Sequence, residues 1–240
     1  FRYKSQIPIY IDRHLKRLKK GSEFLQISIP SDDIIIEFIK NSVQEAGLDD
    51  AYVKICLFSS GGNSYYDKSQ RYILCSVIKE YPHRKSDISL TIATECINSK
   101  SELNYYKTIN YIQNKLSKRQ AISSGFEEAL FLNEKGNVTE CTAHNIFWIK
   151  DSKIYTPSLK NGLLPGITRS VIIDICNDLD LELIEGDYDI KELQRADYIF
   201  LTNAISGIVK VYNIEGKEYL EESQIYKNIE DNLLTRLKWK

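Results

Sequence analysis

The chain has 240 residues, 42% of them apolar and 27% charged, with 32 basic and 33 acidic side chains and a net charge of −1. Those proportions belong to a soluble globular protein of one large domain or two modest ones, and they exclude a global field that would draw the chain to nucleic acid or an anionic membrane. No apolar run approaches the roughly 20 residues of a membrane span, so recognition falls to specific pockets, a small-molecule partner is expected rather than nucleic acid or membrane, and a cytoplasmic location is the default expectation.

In chain order, residues 7–11 predict a short strand and 12–25 a helix, with Leu15, Leu18 and Leu25 on one face and Asp12 as its cap. Residues 31–47 predict a second helix, with Ser31 at the cap, Ile35, Ile39 and Val43 inward, and Gly47 at the stop. Alternating apolar runs at 52–58, 71–78 and 88–93, separated by Ser-Gly-Gly-Asn and Tyr-Pro-His-Arg turns, predict a meander of strands. Residues 1–96 are therefore expected to form a small α+β domain, and the polar segment 97–106 to connect it to a larger α+β domain at 107–240. In that second part a helix at 110–124 carries Ile112, Leu116 and Ala121 as its apolar face. Four strands follow at 129–133, 138–141, 145–150 and 153–155, then a helix at 166–179. Strands at 182–186, 198–202 and 208–212 and a helix at 223–237 complete the chain, which shows no internal repeat.

The five cysteines, Cys56, Cys75, Cys96, Cys141 and Cys176, are scattered and never spaced as Cys-x-x-Cys, so they predict neither a disulfide framework nor a zinc site. Each is read as a small apolar filler. With His14, His83 and His144 far apart, no metal site is expected. Methionine is absent, even at position 1, and the expectation is a sequence trimmed at its start or lacking modified methionines.

Four features carry possible chemistry. Pro165-Gly-Ile-Thr-Arg169 puts Gly166 and Thr168 at the first turn of a helix, where backbone N–H groups and the helix dipole favour an anion such as phosphate. The same pattern also fits a routine helix start. Glu140, on a short strand among apolar neighbours, is either a partly buried carboxylate needing a cationic partner such as a pyridinium nitrogen, or an exposed strand-edge glutamate. Lys107 lies among Tyr105, Tyr106 and Tyr111. Desolvation there would lower its pKa and make it a Schiff-base nucleophile; otherwise it is an ordinary surface charge. Arg17, beside Lys16, Lys19 and Lys20, either clamps a phosphate bidentately or belongs to a solvated basic face.

Together these pieces resemble the class IV aminotransferases, the pyridoxal-phosphate enzymes of fold type IV, which include branched-chain and D-amino-acid aminotransferases and aminodeoxychorismate lyase. His14-Leu-Lys-Arg17-Leu resembles the family's phosphate-binding His-x-x-Arg-Leu helix, and Lys107-Thr-Ile-Asn-Tyr111 its Lys-Thr-Leu-Asn-Tyr segment around the Schiff-base lysine. Val138-Thr-Glu140-Cys-Thr-Ala-His-Asn145-Ile-Phe resembles the stretch whose glutamate pairs with the pyridine nitrogen, and Leu164-Pro-Gly-Ile-Thr-Arg169 the phosphate-binding helix start. The likeness runs in order over nearly the whole chain.

The resemblance implies a two-domain α+β fold of type IV, pyridoxal 5′-phosphate as cofactor, an amino-acid-type substrate and a homodimer. It makes Lys107 both the cofactor's covalent anchor and the proton-moving base, and Glu140, with Asn145 in the same motif, the partner of the ring nitrogen. Arg17, Gly166, Ile167 and Thr168 become phosphate ligands. Tyr111 either hydrogen-bonds the ring hydroxyl or is a packed aromatic. Two departures stand out. Members normally carry a Gly-Asp-Gly-x-Phe-Glu-Thr segment ahead of the first strand, and the expectation is that truncation or disorder, rather than true absence, leaves this N-terminal segment out of the sequence. At Thr202-Asn-Ala204-Ile205 aminotransferases tend to have a hydroxyl where Ala204 stands, so phosphate contact from Ala204 and Ile205 would come through backbone N–H groups.

Thr139–Trp148 and Thr202–Gly207 look more like aminodeoxychorismate lyases than branched-chain enzymes, and no Arg-x-His pair of the kind used by D-amino-acid enzymes is present. Pro165-Gly-Ile-Thr is more typical of transaminases. The narrower expectation is 4-amino-4-deoxychorismate lyase, with an amino-acid aminotransferase as the alternative. A non-catalytic binding protein of the same fold is the rival from another class, and Lys107 and Glu140 together argue against it.

Overall fold

The computed structural model describes residues 1–59, 72–82 and 87–239. The expected turn at Ser-Gly-Gly-Asn, the first residue of the 71–78 strand, and His83 with Arg84 lie outside these residues. The chain divides into two units, Phe1–His83 with Tyr106–Ile109, and Arg84–Tyr105 with Asn110–Lys240.

In the first unit four strands pair antiparallel in the order β2 (Ile7–Pro8), β1 (Arg2–Lys4), β3 (Asp50–Ser59), β4 (Tyr72–Glu80). Helices α1 (Ile11–Phe24) and α2 (Asp32–Glu45) supply the other layer. The α2 spacing works as expected: Ile35, Ile39 and Val43 are buried and share a core with Ala51 and Val53, which alternate along β3. The expected strand at 7–11 is shorter. Pro8 ends it, and Tyr10 takes a left-handed φ of 53° that opens α1 one residue later, leaving Asp12 inside the first turn rather than at the cap. Leu15 is buried, but Leu25 falls beyond the helix and is exposed. Strand β1 escapes the sequence pattern because Arg2 and Lys4 flank a single inward residue, Tyr3; Arg2 Nε instead binds Asp50 Oδ1 at 2.7 Å.

The second unit holds a nine-stranded sheet in the order β10 (Leu183–Gly186), β9 (Lys153–Pro157), β8 (Asn145–Lys150), β11 (Tyr198–Asn203), β12 (Gly207–Ile214), β5 (Asp87–Ile92), β6 (Glu128–Leu132), β7 (Val138–Cys141), with β13 (Lys217–Glu218) paired to β12. The sheet curls until its ends approach: Val138 N–H, on β7, donates to Tyr188 O, just past β10, at 2.8 Å. Leu130, Ile146, Trp148, Leu201 and Val209 fill the enclosed face. On the other face Phe147 and Phe200 stack at 5.2 Å under Tyr226 of α6 (Gln224–Arg236), and α4 (Ile167–Asp178) packs against β10 and β11.

Strand β5 is the main topological difference from the sequence reading. It joins this sheet, parallel to both β12 and β6, instead of closing a meander with β3 and β4. Leu90 is fully buried there. The second unit consequently starts at Arg84, takes in most of the expected connection at 97–106, and returns only Tyr106–Ile109 to the first. Helix α3 (Ile112–Ser123) also presents a different face: Ser117 and Ala121 are buried, whereas Ile112 and Leu116 are exposed. Ser117 Oγ donates to Glu95 Oε2 at 2.9 Å, which accounts for a hydroxyl on the inner side. The short helix α5 (Ile190–Gln194), missed in sequence, is fixed by a capping box between Asp189 and Glu192.

Cys141 and Cys176 are buried fillers as expected, and burial pushes the Cys176 thiol up to about 12. Cys75 and Cys96 are exposed and fill nothing. Among the described residues no helix is long and apolar enough to cross a membrane.

Candidate active site

Five expected site residues, Glu140, Asn145, Gly166, Ile167 and Thr168, meet in the second unit. Glu140 leaves β7 half-buried, and both its oxygens are held: Oε1 accepts from Leu164 N–H at 3.1 Å and Oε2 from Asn145 Nδ2 at 2.9 Å. Asn145, the first residue of β8, also donates to Leu164 O at 3.0 Å. Its Oδ1 lies so near Gly166 that a Cβ there would stand 1.9 Å away. Gly166 has φ −68° and ψ 140°, a conformation open to any residue, so close approach rather than backbone freedom requires glycine. Gly166 is the N-cap of α4 and offers no side chain to its first turn, formed by Ile167 and Thr168, both buried. An oriented carboxylate and a helix start without a side-chain cap thus sit side by side, the first suited to a cationic ring nitrogen and the second to an anion.

Arg169, the last residue of the helix-start motif, is structural. It is 4% exposed, and Nη2 donates to Pro157 O at 3.0 Å and to Glu185 Oε2 at 2.5 Å, tying α4 to β9 and β10.

The turn 141–144, which delivers Asn145, is clamped from three sides. Glu128 at the start of β6 is fully buried; it accepts from Thr142 Oγ1, pairs with His144 Nδ1 at 2.9 Å and lies 3.2 Å from Lys118 Nζ on α3. Burial pulls the Glu128 pKa upward, but the hydrogen bond and charge of His144, with Lys118 and Thr142, hold it down to about 2. Asn114 Nδ2 donates to Thr142 O at 2.9 Å, and Asn203 Nδ2 to Ala143 O at 3.1 Å.

Asn203 also orders the loop after β11. Its Oδ1 accepts from the N–H groups of Ile205 and Ser206 at 2.8 and 2.6 Å, closing a turn around Ala204. The backbone donor expected of Ile205 is therefore already engaged within the loop. Sequence reasoning passed over Asn203 although an asparagine two residues before a needed turn N–H is a recognisable signal. Glu128 carried no such signal, because only the fold brings it to the 141–144 turn.

The remaining expected residues are carried by other elements. In the first unit Arg17 is half-buried on α1. Lys107 rides on a segment docked to α1 through Tyr106, whose ring stacks on Phe24 at 4.0 Å with Lys20 Nζ 5.6 Å from its centroid. Where its tyrosine neighbours were expected to desolvate it, Lys107 is an exposed residue, and Tyr106 is turned onto Phe24. The His14 pKa is driven well below the usual range, first by burial and also by the charge of Arg17. Tyr111 is half-buried at the N-cap of α3 in the second unit.

Comparison with known proteins shows the family and the fold. The amino-transferase class IV family model matches residues 1–214. The chain is 32% identical over 235 residues to the aminodeoxychorismate lyase of Bacillus subtilis, covering 93% of this chain and 78% of that one. A Legionella pneumophila crystal structure, provisionally assigned as a 4-amino-4-deoxychorismate lyase, superposes with a TM-score of 0.94 at 27% identity, covering 98% of this chain and 88% of the other. The branched-chain aminotransferase of Thermoproteus uzoniensis shares the fold, with a TM-score of 0.88 at 22% identity over 99% and 83% of the two chains. The protein belongs to the class IV aminotransferases, an enzyme family whose fold is the two-part α+β architecture described above.

Proposed function

We propose that the protein is a pyridoxal-phosphate-dependent lyase that eliminates pyruvate from 4-amino-4-deoxychorismate and leaves 4-aminobenzoate. The observation that carries the cofactor reading is the Glu140 carboxylate, held on both oxygens beside a helix start without a side-chain cap. Donor chemistry fits the group: Glu140 for a protonated ring nitrogen, the Ile167–Thr168 turn and Arg17 for a phosphate, Lys107 for a covalent anchor. When bound, pyridoxal phosphate supplies an electron sink for negative charge that develops next to the substrate nitrogen.

The protein's own residues do the rest. Lys107 Nζ would anchor the cofactor and would move protons at the reacting carbons. Glu140 keeps the pyridine nitrogen protonated, and Asn145 with Leu164 N–H holds its carboxylate in place for that. Ile167 and Thr168 donate to the phosphate, Arg17 neutralises it, and Tyr111 hydrogen-bonds the ring hydroxyl.

The choice of reaction rests on the likeness to the Bacillus lyase over 93% of this chain and on the Thr139–Trp148 stretch. Amino-acid transamination is the second reading, favoured by Pro165-Gly-Ile-Thr. Two assays separate them: aminodeoxychorismate is supplied and pyruvate with 4-aminobenzoate sought, then amino acids with 2-oxoglutarate are supplied and glutamate sought. Activity in the second alone rejects the lyase. A homodimer is also proposed, and gel filtration at assay concentration tests it.

A further inference from the structure

Beside the Glu140–Asn145 cluster lies a polar atom that the proposed function does not use, the hydroxyl of Thr202. Thr202 is 1% exposed, and its Oγ1 is buried with no hydrogen-bond partner among the described residues. Two other threonines of the same sheet, equally buried, are satisfied: Thr139 donates to Phe131 O at 3.0 Å and Thr156 to Ile146 O at 2.9 Å. A buried hydroxyl without a partner is costly, and in a native fold it calls for an explanation.

Its position supplies one. Thr202 on β11 stands directly opposite Asn145 on β8. Opposed residues of an antiparallel pair project to the same face with Cβ atoms about 5 Å apart. Two residues back, Phe200 and Phe147 occupy this face and stack. Asn145 in turn reaches Leu164 O and abuts Gly166 at the start of α4. Thr202 therefore shares the face and the sheet end at which α4 begins, and Gly166 gives that helix no side-chain cap.

We propose that Thr202 Oγ1 is a further ligand for the phosphate at the start of α4, donating its proton to a phosphate oxygen. The proposal rests on the pyridoxal-phosphate reading and adds a residue outside the four motifs that led to it. It also accounts for a loop in which Ala204 has no hydroxyl and Ile205 N–H is bound to Asn203.

Thr202→Val, which keeps the shape and removes the hydroxyl, is the test. Apoprotein of the parent and the variant is titrated with pyridoxal phosphate, pyridoxal and inorganic phosphate. A lost hydrogen bond to a charged group is worth about a tenfold change in affinity or more. The Kd for pyridoxal phosphate is expected to rise about tenfold in the variant, that for pyridoxal to stay unchanged, and Thr202→Ser to restore the parent value. Inorganic phosphate, which has no ring, is expected to raise the melting temperature of the parent more than that of the variant. Without ligand, the variant is expected to melt at or above the parent, since the hydroxyl has no partner to lose.

An unchanged Kd for pyridoxal phosphate overturns the proposal. Equal weakening for pyridoxal does so too, as does failure of Thr202→Val to fold, because each gives the hydroxyl a role other than phosphate binding. A parent that takes up neither pyridoxal phosphate nor pyridoxal overturns the proposed function itself, a result distinct from all of these.

Discussion

Asn145 and Gly166 meet so closely that the Asn145 side chain takes the space a Cβ at position 166 would need. Because the same asparagine holds Glu140 and Leu164, this contact sets the spacing between the carboxylate and the start of α4. Gly166→Ala is expected to push Asn145 off Glu140 at a cost of about 1–3 kcal/mol, the usual range for overpacking. Denaturant melts check this, together with the double variant: in an Asn145→Ala background the same change at 166 should cost much less. Equal costs in both backgrounds would place the strain elsewhere.

The buried carboxylate of Glu128 predicts an acid limit on stability. Its pKa is held at about 2 in the folded protein, below the ordinary glutamate value of 4.5, so the unfolded chain binds the proton more readily. The contribution is complete above about pH 4.5 and is lost as the pH falls towards 2. A shift of that size amounts to about 3 kcal/mol. Urea midpoints between pH 6 and pH 3 should therefore fall more steeply for the parent than for Glu128→Gln, which is itself expected to be less stable at neutral pH by roughly 3 kcal/mol. Parallel pH profiles would remove Glu128 from the account.

Asn203 links two pieces of the site, the loop around Ala204 and the turn before Asn145. Asn203→Ala leaves the N–H groups of Ile205 and Ser206 and the carbonyl of Ala143 without that partner. A loss of about 1–3 kcal/mol is expected, along with faster amide exchange confined to residues 141–145 and 203–206. Exchange that quickens only in the 203–206 loop would show that the Ala143 bond does not couple them.

Much of the site was legible in sequence because its motifs are local. Glu140 and Asn145 lie five residues apart at the two ends of one turn, and Gly166-Ile167-Thr168 forms a single helix start. The helices of the first unit were legible for the same reason: apolar residues at helical spacing found their core. What failed was non-local. An apolar run such as β5 names a strand but not the sheet it joins, and parallel pairing with β12 and β6 depends on residues more than a hundred positions away in one case. The same limit hid Glu128, whose importance arises from Thr142 and His144 being folded back over it. At Lys107 the local pattern left desolvation and an ordinary surface charge both open, and it could not show that Tyr106 packs on Phe24 while the lysine is exposed.

Glu140→Gln separates binding from chemistry. A glutamine retains the shape but no longer keeps a ring nitrogen protonated, so cofactor uptake is expected to persist while kcat falls by about 10²-fold, the usual effect of losing one preorganised electrostatic partner. Titration of the apoprotein and steady-state rates measure the two effects separately. A rate within a few fold of the parent would deny Glu140 its role at the ring nitrogen.

The central claim, that this chain anchors pyridoxal phosphate through Lys107, is tested most directly by the absorbance of the purified protein with added cofactor. Lysine-bound pyridoxal phosphate is expected to give a band at about 410–430 nm. That band, and a cofactor mass adduct after borohydride reduction, should be present in the parent and absent in Lys107→Ala. A parent that stays colourless and gains no adduct, or a band and adduct that survive in Lys107→Ala, would contradict the account.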